Sequence, residues 1–528
     1  MSLLERLPQA VRHEGGLSRR LFVAYGAALA ALPALAARSA GTTDSKISFA
    51  ADPFQLGVAS GDPEAHSVVL WTRLCPKPLE PGYGLTTERI PVRWELSETE
   101  SMSRIVQRGT ALALPQLGHS VHVEVAGLKP GRHYWYRFHA GPATSPIGRT
   151  RTLPEPESLP SELRFAFASC QNFESGHYTA YEHMAREELD LVVHLGDYIY
   201  EGSAQRGRPR LHNGGEIFTL DDYRLRYALY KSDPALRAAH AAAPWIVTWD
   251  DHELANNYAG DIPGKPASRE EFLRRRAAAY QAYYEMMPLR RAQLPSGPDL
   301  LLFRSLDFGR LATFHVLDTR QYRTDQPQGD GRKPPSPELL DPRGTLLGER
   351  QRAWLDAGLE RSAGTWNVLA QQVMMARVDL ARGPEVLHSM DQWPGYDFER
   401  RRVVRHFRDR RVKNPVVITG DIHSNWANEL VADFDRPDAP PVGVEFVGTS
   451  ISSGGDGAIE PAFTKELMAE NPFVKYRNNE RGYVRCDVTP AAWRADFRTV
   501  PYVELPGAPI NTRASFVVES GRPVVRRA

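Results

Sequence analysis

The sequence predicts an α/β protein of layered β-sheets flanked by helices, preceded by a small β-sandwich-like domain. Three observations carry that expectation. Residues 45–153 read as short strands separated by turn chemistry. Residues 161–515 alternate apolar strand-like runs with helical patterns, which argues for a layered α/β domain. Between them lies a polar, Pro-rich stretch, Leu153-Pro-Glu-Pro-Glu-Ser-Leu-Pro160. At 528 residues the chain exceeds what one core usually serves, so two domains are expected.

In chain order, residues 1–37 come first as a targeting segment. Ser18-Arg19-Arg20-Leu21-Phe22 precedes an apolar run from Val23 to Leu35, and Ala34-Leu35-Ala36 supplies small residues for cleavage. The run is too short to span a bilayer, and the paired arginines match a twin-arginine export signal. The alternative is a basic amphipathic arm. The export reading implies a periplasmic or secreted protein, passage through the twin-arginine machinery already folded, and no transmembrane anchor in the mature chain.

The β domain opens with turn residues Val58-Ala-Ser-Gly-Asp-Pro63 and a strand at Ser67-Val-Val-Leu-Trp-Thr72. Later, Leu128-Lys-Pro-Gly-Arg-His-Tyr134 leads into an alternating aromatic strand. That pattern is similar to the tyrosine corner of fibronectin-type and immunoglobulin-like sandwiches, with Tyr134 as the corner residue. In the larger part, Ser268 and Glu271 have the spacing of a capping box. It opens a helix with Leu273, Tyr280, Tyr283, Tyr284 and Met287 along one stripe. Arg274, Arg275 and Arg276 in that helix read as a solvated face in preference to an anion site. A second helix is expected from about Leu347 to Arg361, and further strands at Ala312–Leu317, Asn367–Ala370 and Val442–Val447. Stretches 206–219 and 326–342 are loop-rich, as lids and rims often are. The turn Gly454-Gly-Asp-Gly457 either lines the mouth of a site or is a surface turn.

Composition narrows the function classes. There are 65 basic and 64 acidic residues, a formal charge of +1, which supports neither a nucleic-acid groove nor a polybasic membrane surface. The three cysteines, Cys75, Cys170 and Cys486, give no disulfide framework, although Cys75 with Cys486 is the pairing to expect if any forms.

The chemistry is concentrated where four apolar runs end. These are Phe165-Ala-Phe-Ala-Ser-Cys170, Val192-Val-His-Leu-Gly-Asp-Tyr-Ile-Tyr200, Ile246-Val-Thr-Trp-Asp-Asp-His252 and Val416-Val-Ile-Thr-Gly-Asp-Ile-His423. Open α/β sheets place their sites at the carboxyl ends of strands. The candidate metal ligands are Cys170, Asp197, Tyr200, Asp251, Asp421 and His423. Asn257 is either a further oxygen donor or a turn residue. Asp250 and Asp251 compete, and Asp251 is preferred. Carboxylates suit hard cations, whereas a thiolate with a phenolate suits iron. The set therefore points to iron beside a harder cation and away from closed structural zinc. Gly196 lets the chain turn before Asp197. A helical turn would bring Tyr200 back to the same side, and an extended segment would put Asp421 and His423 on one face. His252, next to Asp251, is the candidate catalytic residue. His194, His315 and His388 read as core histidines.

Together these motifs resemble the calcineurin-like metallophosphoesterase superfamily, in particular its PhoD-like alkaline phosphatase branch. Ser169-Cys170 stands where the superfamily has Asp-x-His, Asp250-Asp251-His252-Glu253 replaces Gly-Asn-His, and Gly420-Asp421-Ile-His423 replaces Gly-His-x-His. Gly196-Asp197-x-x-Tyr200 also resembles purple acid phosphatases, where the tyrosine binds ferric iron. The resemblance extends to Ala59-Ser-Gly-Asp-Pro63, Trp71-Thr-Arg73 and Val442-Gly-Val-Glu-Phe-Val-Gly-Thr-Ser450. It implies a metallophosphoesterase-type fold and hydrolysis of phosphate mono- or diesters by a metal-activated hydroxide, with Fe3+ and Ca2+ as the metals. A phospholipase D-like phosphodiesterase acting on phospholipid head groups is the alternative within the fold. A non-catalytic metal-containing binding or adhesion protein is the alternative outside it.

Overall fold

The computed structural model describes residues 47–436 and 439–528; the expected export signal lies outside the described residues. Two mixed sheets stack face to face. The first has ten strands in the order Arg522–Arg527, Asn511–Glu519, Ala492–Val500, Arg481–Val488, Leu163–Ala168, Leu191–His194, Trp245–Val247, Val58–Gly61, Ser67–Arg73 and Ser120–Ala126. Its centre, from Leu163–Ala168 to Val58–Gly61, is parallel, and both flanks are antiparallel. The second sheet has seven strands. Ala312–Val316, Trp366–Ala370, Pro415–Thr419 and Pro441–Val447 run parallel, with antiparallel strands at the edges.

The two-residue period of a strand decides which side chain meets which layer. Leu163, Phe165 and Phe167 enter the core between the sheets with Phe314, Val368, Val416 and Ile418. Ala166 and Ala168 face outward among Tyr181, Met184 and Tyr227 of helices Thr179–Met184 and Leu220–Lys231. Both faces of these strands are covered, so they appear in the sequence as unbroken apolar runs. Each large apolar side chain buried there contributes about 1.5–3 kcal/mol. Helices Gly348–Arg361 and Asp397–Asp409 cover the second sheet through Leu355, Leu359, Val403, Val404 and Phe407. The result is helix, sheet, sheet, helix, as the apolar runs predict.

The amino-terminal sandwich shares a layer with this body. Ile105–Ala113, Ile90–Ser97, His133–Ala140 and Ala143–Thr144 form a separate sheet, and Gly148–Arg151 pairs with His133–Ala140. Val92, Leu96, Tyr136 and Phe138 pack it against Val68, Leu70, Val121 and Val123. Those last residues belong to strands of the ten-stranded sheet, which therefore continues across the Pro-rich stretch. Tyr134 is buried, and its hydroxyl accepts the N–H of Lys129 at 3.0 Å, the geometry of a tyrosine corner. Such a bond contributes about 1 kcal/mol.

Two expectations need correction. All three cysteines are free and buried. Cys75 lies in the core beneath the helices, with Leu56 and Trp71, whereas Cys486 lies between the sheets beside Phe165 and Trp493, so opposite faces separate them. Burial pushes the Cys75 thiol up to about 11. The arginine run is not a uniform solvated face either. Arg274 is exposed, but Arg276 is buried and donates to the carbonyls of Gly260 and Pro298. The capping box forms as expected: Ser268 and Glu271 cap helix Arg269–Met286. No helix among the described residues is long and apolar enough to cross a membrane.

Candidate metal centre

The strand ends converge. Ser169 bridges to Ser450, and a Cβ added at Gly420 would lie 2.3 Å from Ser169 Oγ, so the carboxyl ends of the two sheets touch there. Gly196 is the tighter joint. Its φ is 109°, and a Cβ would meet the Asp250 backbone nitrogen at 2.4 Å. Only glycine allows the Asp197 and Asp250 turns to approach so closely.

Donor atoms of Cys170, Asp197 and His423 all lie within 4.8 Å of one another, and so do donor atoms of Asp197, Asp251 and His252. Asp197 belongs to both groups. Tyr200 joins the first: its hydroxyl donates to Asp197 Oδ2 at 2.8 Å and lies 3.3 Å from His423 Nε2. Asp421 Oδ2 accepts from Gln392 Nε2 at 3.2 Å, and the Asp421 charge acts on Cys170. Asn257 donates its backbone N–H to Asp251 Oδ2 at 2.7 Å, but its side-chain amide nitrogen is turned to Asp330.

The backbone does this differently from what the spacing suggests. No helical turn follows Leu191–His194; residues 195–200 bend irregularly, and Asp197 itself has φ 57°. Asp421 and His423 are not extended either, with φ of 67° and 51°. Cys170 and Asn257 are likewise left-handed, at 59° and 52°. Five of the donors thus hold a conformation that disfavours non-glycine residues by about 1–3 kcal/mol each. Asp251 and His252 do lie on the turn their adjacency requires, since Leu254 and Ala255 both donate backbone N–H to the Asp251 carbonyl at 2.8 Å.

The electrostatics call for cations. Burial, reinforced by Asp251, Asp250 and Glu253, raises the Asp197 carboxyl well above the carboxylate range. Burial, then Asp250 and Asp391, does the same to Asp421. Burial opposes ionisation of Asp251, but His252, Arg320 and the N–H of Asn257 outweigh it and hold that carboxyl low. Burial and then Asp197 raise both the Cys170 thiol and the Tyr200 phenol. Burial and Arg481 push His423 down to about 3, which leaves the ring neutral with a lone pair to give. Asp197 Oδ1 and Asp251 Oδ1 are buried without a hydrogen-bond partner. A buried carboxylate without a counter-charge costs several kcal/mol, so this donor set fits bound cations.

Around these donors sit groups that sequence reading missed. Arg320 is fully buried and ion-paired with Asp250 at 2.5 Å and with Asp391 at 2.8 Å. This engages Asp250 Oδ1, although Asp250 Oδ2 stays unpartnered. Glu253 accepts the backbone N–H groups of Asp197, Tyr198 and Asp250 at 3.1, 2.6 and 2.9 Å and so ties two strand ends together. Ser453, just before the glycine turn, donates to the Tyr200 hydroxyl at 2.7 Å. Glu201 accepts His252 Nδ1 at 2.7 Å and the Asn256 N–H at 2.9 Å. The only sequence signal was position: Arg320 follows the Ala312–Val316 strand, and Glu201 and Glu253 neighbour chosen residues. His194, His315 and His388 are buried as expected. After Tyr502, Val503 and Glu504 donate backbone N–H to Asp456 in the glycine turn, and the rest of the tail enters the ten-stranded sheet.

Comparisons with known proteins cover most of the chain. The PhoD-like phosphatase family model matches residues 165–497, and the model of the PhoD-like phosphatase N-terminal domain matches residues 38–154. Alkaline phosphatase D of Bacillus subtilis (strain 168) is 53% identical over 484 residues, covering 91% of this chain and 83% of that protein. A solved structure of PhoD superposes with a TM-score of 0.89 at 52% identity, covering 91% of this chain and 93% of that one. The GAP50 anchor of the Plasmodium inner membrane complex superposes at a TM-score of only 0.32 and 10% identity, over 64% of this chain and 85% of that one, which carries no argument.

Proposed function

The chain belongs to the PhoD-like phosphatase family and is a phosphoric ester hydrolase; from that premise we propose that Cys170, Asp197, Tyr200 and His423 hold a ferric ion, that Asp251, Asp421 and Asn257 hold calcium with Asp197 shared, and that His252 is the acid. The observation that carries the reading is the pair of donor groups joined at Asp197, one with Cys170 and His423 and one with Asp251 and His252. Asp421 and Asn257 are added to the second for their oxygen chemistry, and the His252 ring, paired with Glu201, is assigned to acid chemistry instead. A thiolate and a phenolate favour iron on one side, and oxygen donors favour calcium on the other. Cations there would neutralise charge on the phosphate oxygens and activate water.

The chain's own residues supply the rest. Glu201 fixes the His252 Nδ1–H and leaves Nε2 to give a proton to the leaving oxygen. The imidazole stacks on the Tyr200 ring at 4.1 Å, which fixes its plane. Burial works against a charged His252, but Asp251, Glu201 and Asp197 outweigh it and hold the ring's pKa well above its usual value. Bound cations would cancel much of the Asp251 and Asp197 contribution, which leaves Glu201 as the stabilising charge.

Purified protein should release phosphate or alcohol from chromogenic mono- and diesters, lose that activity on chelation, and contain iron and calcium by elemental analysis. A colourless, zinc-only preparation with full activity would rule out the iron assignment. Glu201→Gln should lower kcat by about 10²-fold and move the alkaline limb of the kcat profile to lower pH, because the imidazolium loses its nearest anion. An unshifted limb would count against His252 as the acid. Export through the twin-arginine route into the periplasm or medium, by way of Arg19 and Arg20, completes the proposal; it predicts that replacing both arginines with lysine retains the protein inside the cell.

A further inference from the structure

A cavity of about 1240 Å³ lies between the amino-terminal sandwich and the helical layer. It is walled by residues 82–89 and 115–119 on one side and by helices Leu220–Lys231 and Arg269–Met286 on the other. The volume is far more than a phosphate group needs and exceeds that of most small-molecule pockets. At one end its wall is formed by Ala255 and Asn256, the residues next in the chain to Asn257. Asn256 lines the cavity, and its backbone N–H is held by the same Glu201 carboxylate that holds His252.

The lining has the chemistry of a ligand site. Phe218 is 53% exposed, and the Arg275 guanidinium lies 4.2 Å from its ring centre. Arg275 Nε donates to the Tyr223 hydroxyl at 2.9 Å and Nη1 to Glu216 at 3.1 Å, but Nη2 is buried with no partner. Glu216 is already shared with Lys265, at 2.9 Å. One carboxylate therefore serves two cations. Arg89 also lines the cavity, is exposed, and has no acidic partner among the described residues. An unsatisfied guanidinium, a free arginine and an exposed ring together suit a flat apolar group that carries an anion.

We propose that this cavity binds the non-reacting part of the substrate: an organic phosphate whose alcohol carries a ring, placed against Phe218, and a second anionic group, held by Arg275 and Arg89. The proposal rests on the phosphoesterase reading and adds a substrate class to it. Binding energy realised on such a remote group can be expressed in kcat as well as KM.

The test compares kcat/KM of the metal-loaded full chain on three phosphates. Glycerol 1-phosphate lacks both features, adenosine 5′-monophosphate has the ring alone, and adenosine 3′,5′-bisphosphate has the ring and a second anion. The expected order is bisphosphate above monophosphate above glycerol phosphate, with about tenfold between the first two. Arg89→Ala should close the first gap and Phe218→Ala the second, and both variants should keep glycerol phosphate hydrolysis within about twofold. Both are exposed positions, so folding should survive. Equal kcat/KM for the three substrates, or gaps that persist in both variants, would overturn the subsite while leaving the phosphoesterase reading intact. No hydrolysis of any of the three monoesters would also overturn the subsite, and a chromogenic diester run beside them tells whether the phosphoesterase reading falls with it.

Discussion

Asp197→Ala should abolish phosphoester hydrolysis, with kcat/KM down by more than about 10⁴-fold, the scale seen when one member of a catalytic unit is removed. Both metals should leave with it. Asp197 is the one residue common to the two donor groups. It also accepts the Tyr200 hydroxyl and has a second oxygen buried without a partner. Its backbone is fixed from outside the group, by Glu253 on its N–H and by the glycine joint at Gly196, so truncating the side chain should leave the turn in place and remove only the donor. Asp250→Asn is the control. Asp250 is equally buried and lies one residue from Asp251, but it faces Arg320. Breaking a buried ion pair costs about 3–5 kcal/mol, so this variant should melt earlier yet keep its metals and most of its kcat. Elemental analysis separates the two outcomes. If Asp197→Ala loses one metal and keeps the other with substantial activity, the two groups are not joined through Asp197.

Much of this site was visible in the sequence because of how buried parallel strands are written. An apolar run covered on both faces carries few polar residues of its own, so a donor residue at its end stands out, as Cys170, Asp197, Asp251 and Asp421 do. Type and position were therefore legible. The path by which the donors meet was not. A helical turn for Tyr200 and an extended segment for Asp421 and His423 follow from spacing, yet the chain uses left-handed residues that no local pattern marks. The supporting groups were hidden for another reason. Arg320 is 70 residues from Asp250 and 71 from Asp391, and Ser453 is 253 from Tyr200. In a sequence each reads as an ordinary polar residue, and only the stacking of two sheets makes it a partner. The sandwich was recognisable from Tyr134 and its turn. That its second layer is the end of the main sheet depends on strand order, as in the parallel pairing of Gly61 with Trp245, which is decided by tertiary packing.

Asp421→Asn should change stability in opposite directions with and without metal. In the metal-free chain the Asp421 carboxyl is raised by burial and by the charges of Asp250 and Asp391. The folded state then holds a proton that the unfolded chain releases near pH about 3.9. The stability tied to that proton is fully present below this value and is lost as pH rises towards the folded pKa. Asparagine has nearly the same shape and no charge, so it escapes the loss. Stripped of metal, the variant should therefore melt above the parent protein at pH 8, by about 1 °C for each 1 kcal/mol recovered in a chain of this size, and the gap should shrink towards pH 5. The buried histidines titrate in both proteins and cancel in the difference. With metal bound the sign reverses. The carboxylate is then paired with a cation, the neutral amide is the poorer ligand, and the variant should melt below the parent and bind the harder cation more weakly. Thermal melts of both proteins at the two pH values, before and after chelation, decide it. A variant that is less stable under all four conditions would mean that Asp421 serves packing or hydrogen bonding to Gln392 rather than a cation.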